Sequence, residues 1–374
     1  MCQPSSNAAS NSSSSSSDAL PPVCILAHLV DVHCHPTDSS FSSSVMDNLP
    51  LKHICAMATR ATDQSLVKEL AFAYPEKVVP CFGHHPWFTH WIAVKPFNSK
   101  EEHYRSLFFG TNSSPKQETL DAFQRLLSFL PDPTPLDDAL TSVRLNLAAF
   151  PNAMVGEVGL DRVCRIPYSY PAFTPYASSS NGEGKRELSP FTIPLDHQLV
   201  ILEVQLDLAV ELKRNVSLHS VKSQEATVKL LKKMQEKHGS RWTEISVDLH
   251  SCTLSAPTLK DIQKAHPNIF LSLSTAINTR SPAYRSLVTT CPDTRILVES
   301  DYHDVSYSTP QCWDMVLRIA EVKGWRVEQE EWVDGDGVSE AEWGVVRRLE
   351  RNWRVFRDGG HVNREEKRKK RKGE

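Results

Sequence analysis

A (β/α)8 barrel of the TIM type is the fold that this 374-residue chain predicts, on three observations. Eight short runs rich in Val, Ile, Leu, Ala and Cys recur along the body without the polar alternation of half-exposed strands, as parallel strands covered on both faces do. Segments with apolar residues three and four apart lie between them, clearest in residues 195–212 and 222–237. Side chains able to bind metal gather where the runs end.

In order, the runs are Cys24 to His33, His53 to Thr59, Lys77 to Gly83, Ala153 to Gly159, Asn215 to His219, Glu244 to His250, Ile269 to Ser274 and Arg295 to Asp301. Their starts are 24 to 29 residues apart, except for gaps of 76 and 62 residues after the third and fourth. The excess forms two insertions, about residues 95–150 and 164–194, where Pro, Ser, Asn and Gly concentrate, as in PDPTP at 131–135 and SSSNGEG at 178–184. Loops after the strands of such a barrel open on its catalytic face, so insertions there either shape a substrate channel or are low-complexity padding. Within the first, Leu120 to Leu130 and Leu136 to Leu147 read as helices.

One barrel domain is expected over residues 23–357, between two tails. Residues 1–22 include a run of six serines and no periodic apolar positions, which predicts disorder. Residues 358–374 end in the basic block KRKKRK, Lys367 to Lys372, which repels itself and predicts a solvated tail. That block is either solubilising or a nuclear-import or nucleic-acid patch, so a cytoplasmic or nuclear location is expected. The net charge is -3, and the body without that block is near -9, which disfavours a simple DNA-binding surface. Nine cysteines with no C-x-x-C pair indicate neither a disulfide framework nor a zinc knuckle. No apolar stretch is long enough for a membrane span, and the N-terminus lacks the layout of a secretory signal.

The first run ends in Asp31-Val32-His33-Cys34-His35, and strand alternation sets His33 and His35 on one side, facing the barrel mouth. The fourth carries Glu157, the fifth and sixth end at His219 and His250, and the eighth ends at Asp301. Alone, each has an ordinary explanation: a strand-end histidine is a hydrogen-bonder, and Glu157 a capping carboxylate. All six at the ends of five strands suit two divalent cations about 3.5–4 Å apart, with Glu157 between them.

The succession DVHCH (31–35), GHHPW (83–87), GEVGLD (156–161), LHS (218–220), LHS (249–251) and VESD (298–301) resembles the TatD-type metal-dependent deoxyribonucleases, amidohydrolase-like metallohydrolases. The resemblance covers about residues 24–356, including Asn352-Trp353-x-x-Phe356, similar to the family's closing helix. It implies a first metal on His33, His35 and Asp301, a second on His219 and His250, Glu157 bridging, and His85 lining a phosphate pocket. Val221-Lys222 after the first His-Ser, Ser251-Cys252-Thr253 after His250, and Tyr302-His303 after Asp301 depart from the family's pattern. These departures resemble a fungal branch, some of whose members are named for a cell-cycle protein partner.

Such a site suits hydrolysis of a phosphodiester, with Asp301 and Glu157 catalytic, and the resemblance implies DNA as the substrate. Two divalent ions, Mg2+, Mn2+ or Zn2+, supply the positive charge that the body lacks. Lys222, Arg162 and His303 are candidate further phosphate contacts. Hydrolysis of another ester or an amide, or a scaffold that binds a cell-cycle protein, are the alternatives.

Overall fold

The computed structural model describes residues 20–40, 42–110, 114–169 and 187–361. The six-serine run, SSSNGEG and KRKKRK lie outside the described residues.

Eight parallel strands form one sheet in chain order: Val30–Cys34, His53–Met57, Val78–Phe82, Met154–Asp161, Val216–Val221, Val247–Leu249, Ile269–Leu273 and Ile296–Val298. Each is paired with the next, and helices cover the outside. The sheet curls until its two edges meet. There the buried Asp31 carboxylate accepts hydrogen bonds from the Ser300 N–H at 2.9 Å and hydroxyl at 2.6 Å. The Asp301 N–H donates to the His33 carbonyl at 2.9 Å, and the His35 N–H to the Tyr302 carbonyl at 2.8 Å. The seam of the barrel is therefore made by the residues that flank the predicted site.

Strand alternation feeds two apolar clusters. Ile54, Ala56, Val78 and Phe82 pack outward with the surrounding helices. Val32, Cys55, Met57, Val79, Cys81, Met154, Phe270 and Leu297 pack together with Trp353 and Phe356 of the helix Val345–Asp358. Asn352 on that helix donates to the carbonyls of Asp293 at 2.7 Å and Ile296 at 2.9 Å, which ties the helix to the start of the eighth strand. Past its end, the Gly360 and His361 N–H groups donate to the Glu244 and Thr243 carbonyls, so the packed body runs to His361.

The first strand is shorter than the apolar run containing it. Val23–Leu26 is a helical turn after Pro21-Pro22, and its Ile25 and Leu26 are buried in the outer cluster. A short apolar run satisfies a buried turn and a buried strand equally. The fourth strand runs longer than expected, to Asp161, and the sixth and eighth are only three residues each.

The described parts of both insertions, residues 95–110 and 114–150 and residues 164–169 and 187–194, carry secondary structure. Helices Gln117–Leu127 and Leu136–Ala149 match the two expected in the first insertion, and a third, Lys100–Phe109, precedes them. Its N-terminus is capped by the Ser99 hydroxyl, which accepts from the Glu102 N–H. The second insertion contributes an antiparallel pair, Arg165–Pro167 with Leu188–Thr192. Tyr104, Phe123, Leu126, Ile166, Tyr168 and Phe191 join the two insertions into a second apolar core separate from the barrel.

The seam yields a stability prediction. Asp31→Ala leaves the buried Ser300 N–H unpaired, and unfolding in urea should show a loss of about 2–3 kcal/mol. A loss under about 0.5 kcal/mol would mean that the carboxylate does not close the barrel.

Candidate metal centre

Backbone irregularities sit on the two strands that carry His33, His35 and Glu157. The first strand slips register against the second between Asp31 and Cys34, and the fourth against the fifth between Val155 and Val158. Each slip adds a residue on the side of His33 or Glu157, the means by which a bulge re-aims a side chain. Gly159 pairs with His219 so closely that a Cβ on it would lie 2.2 Å from the His219 carbonyl oxygen. The second glycine of GEVGLD thus lets the fourth and fifth strands meet beside the site.

Glu157 is the centre, buried to 1% exposure. One carboxylate oxygen, Oε2, faces the Nε2 atoms of His33 at 3.5 Å and His35 at 3.3 Å. The other, Oε1, faces His250 Nε2 at 2.7 Å, His219 Nδ1 at 2.8 Å and His85 Nε2 at 3.1 Å. Asp301 Oδ1 lies 3.6 Å from His35 Nε2 and 3.8 Å from His33 Nε2. All six residues expected as ligands therefore meet. His85, expected to line a phosphate pocket, joins the same cluster, because the turn after the third strand aims its ring at Glu157.

Atoms of like kind face one another here. His33 Nε2 and His35 Nε2 are 3.2 Å apart, as are His219 Nδ1 and His250 Nε2. Glu157 Oε2, His85 Nε2 and His219 Nε2 are buried without a hydrogen bond of normal geometry. Buried polar atoms are normally paired, so unpaired imidazole nitrogens and a carboxylate oxygen converging on one point fit a cation. Ligand atoms of His33, His35 and Asp301, and of His85, Glu157 and His219, each lie within 4.8 Å of one another; His33, His250 and Glu299 make a further such group. The residues fit divalent metal binding.

Electrostatics follow from burial opposed by pairing. Burial pushes the His33 imidazole down to about 3 and His85 to about 4. Burial also acts against protonation of His219 and His35, yet their carboxylate partners prevail. Asp161 and Glu157 raise His219 to about 9, and Asp301 and Glu157 hold His35 well above the usual imidazole range. Burial would raise the carboxyl of Asp301, but the hydrogen bond from His35 and the nearby His250 and His33 hold it at about 2. Glu157 is held well below the usual range against its burial by His85, His250 and His33.

A second layer orients these groups. The Ser217 hydroxyl is 2.7 Å from His33 Nδ1, leaving Nε2 for the cluster. Asp161 Oδ2 lies 3.6 Å from His219 Nε2 and accepts from the Trp87 indole N–H at 2.7 Å. The Ser251 hydroxyl contacts Asp301 Oδ2 at 3.0 Å and Glu299 Oε1 at 2.6 Å. Ser217 and Glu299 carry no mark of their own in the sequence, Asp161 closes GEVGLD, and Ser251 stands out there only as a departure from the family's pattern.

The three candidate phosphate contacts lie farther out. Lys222 is exposed at the end of the fifth strand, with a left-handed φ of 50°. Arg162 lines an outer groove with Leu195, Leu199 and Glu225, between helices Leu195–Leu212 and Gln224–His238. His303 is half-buried at the mouth, its ring stacked on Tyr302 at 4.6 Å. Burial and the proximity of His35 lower it, against Asp304.

Comparison with known proteins agrees with this geometry. The model of the TatD related DNase family matches residues 30–333. Cut9-interacting protein scn1 of Schizosaccharomyces pombe is 30% identical over 332 residues, covering 80% of this chain and 94% of the relative. The uncharacterized deoxyribonuclease YMR262W of Saccharomyces cerevisiae is 28% identical, over 73% of this chain and 83% of the relative. Among solved structures, a TatD-family hydrolase of Entamoeba histolytica superposes with a TM-score of 0.52 at 12% identity, covering 88% of this chain and 97% of that one. The TatD homologue YJJV of Escherichia coli gives 0.50 at 16%, covering 91% and 100%. Both share the barrel. No helix among the described residues is long and apolar enough to cross a membrane. With the barrel, the ligand cluster and the match over most of its length, the chain belongs to the TatD family of metal-dependent hydrolases.

Proposed function

We propose that this protein hydrolyses phosphodiester bonds of DNA, removing nucleotides from strand ends, with two divalent cations that Glu157, Asp301 and the surrounding histidines would hold. The observation that carries this reading is the division of labour at Glu157: Oε2 faces His33 and His35, and Oε1 faces His85, His219 and His250. His33, His35 and Asp301 would hold one cation; His219 and His250, with His85 beside them, the other. Imidazole-rich ligation favours Zn2+ or Mn2+ over Mg2+.

When bound, the cations supply the positive charge that activates a water and polarises the phosphoryl oxygens. The chain's own groups do the rest. Asp301, anionic at neutral pH, takes the proton of the attacking water at its carboxylate, and the Ser251 hydroxyl against Oδ2 fixes its orientation. Asp161, held by the Trp87 indole, keeps the His219 ring turned toward Glu157. Lys222, Arg162 and His303 are the outer groups available to a longer strand. A role through a protein partner is supported by the name of the fission-yeast relative, and such a partner would dock outside the ligand cluster.

The expected outcome of removing metal or its anionic ligand is loss of turnover. Nucleotide release from single-stranded and duplex DNA should stop with EDTA and fall by about 10^3-fold or more in Asp301→Asn, with the melting temperature nearly kept. Cleavage that survives both treatments rules this site out as its source. Metal binding without cleavage of DNA under any cation would move the reading to another ester or an amide.

Cation binding should also depend on pH with a defined sign. His35 and His219, raised by their carboxylates, must give up protons before they ligate metal. Affinity for Zn2+ should therefore rise between about pH 6 and pH 8, roughly tenfold per pH unit for each proton displaced. Calorimetry in buffers of different ionisation enthalpy counts those protons, and an affinity flat across this range would contradict the assignment.

A further inference from the structure

The loop after the eighth strand carries three rings beside the candidate metal centre, Tyr302, His303 and Tyr307, and the chemistry above gives neither tyrosine a role. Asp301 has a left-handed φ of 51°, which turns the chain out of the barrel wall immediately after the ligand. The next residue, Tyr302, stacks on His303 with centroids 4.6 Å apart and planes 24° apart. Tyr307 meets Tyr302 at 5.3 Å, tilted by 56°. None of the three belongs to an apolar core among the described residues. Tyr307 keeps 48% of its surface exposed, and Tyr302 and His303 are part-exposed.

The backbone that carries the rings is held in place. The Tyr302 carbonyl accepts from the His35 N–H at 2.8 Å, and the His303 carbonyl from the Ser39 hydroxyl at 2.6 Å. Asp304 caps the short turn that follows, accepting from the Ser306 N–H and hydroxyl, and its carbonyl accepts from the Tyr307 N–H. Thus the platform is fixed to the same backbone that positions His35 and Asp301. Exposed rings on an anchored backbone at this place present flat π faces, and flat partners are what such faces bind.

We infer that Tyr302 and Tyr307, with His303, form a stacking platform for the nucleobase next to the scissile phosphodiester. The inference rests on the phosphodiester reading of the metal centre and names the substrate class: base-bearing nucleic acid ends, selected by the base as well as by the phosphate. Stacking of one base on an aromatic side chain corresponds to about five- to a hundredfold in affinity.

The test uses the full chain loaded with Mn2+ and two probes. A single-stranded DNA trinucleotide with 2-aminopurine at its terminal position reports stacking by loss of fluorescence. A pair of trinucleotides, one with a terminal base and one abasic at that position, reports selection through the ratio of their kcat/KM values. Wild type should quench 2-aminopurine and favour the base-bearing strand by about tenfold or more. Tyr307→Ala and Tyr302→Leu should lose the quenching, and the ratio should collapse, while Tyr302→Phe and Tyr307→Phe keep both. If nothing is cleaved but quenching is present in wild type and lost in Tyr307→Ala, the hydrolysis reading falls and the platform stands. No quenching in wild type, or quenching and a ratio that persist in Tyr307→Ala, overturns the platform whatever the activity.

Discussion

A carboxylate buried among five imidazoles is the interaction on which the rest of this barrel depends. Taking the Glu157 charge out of water costs several kcal/mol unless it is compensated, and here five histidine nitrogens lie between 2.7 and 3.5 Å from its two oxygens. Much of the surrounding structure serves that arrangement. Register slips in the first and fourth strands aim His33 and Glu157, Gly159 allows the fifth strand to approach, and Ser217 and Asp161 turn individual rings. Even barrel closure is coupled to it, since the seam bonds run through Asp31, His33, His35 and Asp301.

Much of this was legible in the chain because two periodicities coincide. Parallel strands covered on both faces read as unbroken apolar runs, and polar ligands at their ends stand out against that background. His33, His35, Glu157, His219, His250 and Asp301 were found in this way, and the structure gathers all six. The environment of His85 was not readable, because it follows a strand at a turn, where spacing no longer fixes the direction of a ring. Cys24 to Leu26 reads as strand because a short apolar run satisfies a helical turn as well. The helix Lys100–Phe109 escaped notice because its exposed face is strongly charged; Ser99 and Glu102, spaced as a cap pair, were its clearest mark. Ser217 and Ser251 look like ordinary small residues until the fold places them against His33 and Asp301.

The two insertions, separated in the chain by the fourth strand, meet only in three dimensions. Phe108, Phe123 and Phe191 meet across them, and Arg125 lies 4.0 Å from the Tyr168 ring while pairing with Glu187. An exposed ion pair of that kind contributes under about 1 kcal/mol, so the aromatic core holds the two together. Both insertions follow strands whose ends carry residues of the candidate site, His85 after the third and Glu157 on the fourth, and the second core ties the two together.

Anomalous X-ray scattering from crystals grown with Mn2+ or Zn2+ tests the central claim most directly. The account predicts two peaks flanking Glu157, one among His33, His35 and Asp301 and one among His219, His250 and His85. A single peak elsewhere on the surface, or none at saturating metal with Glu157 still ringed by histidines, would contradict it.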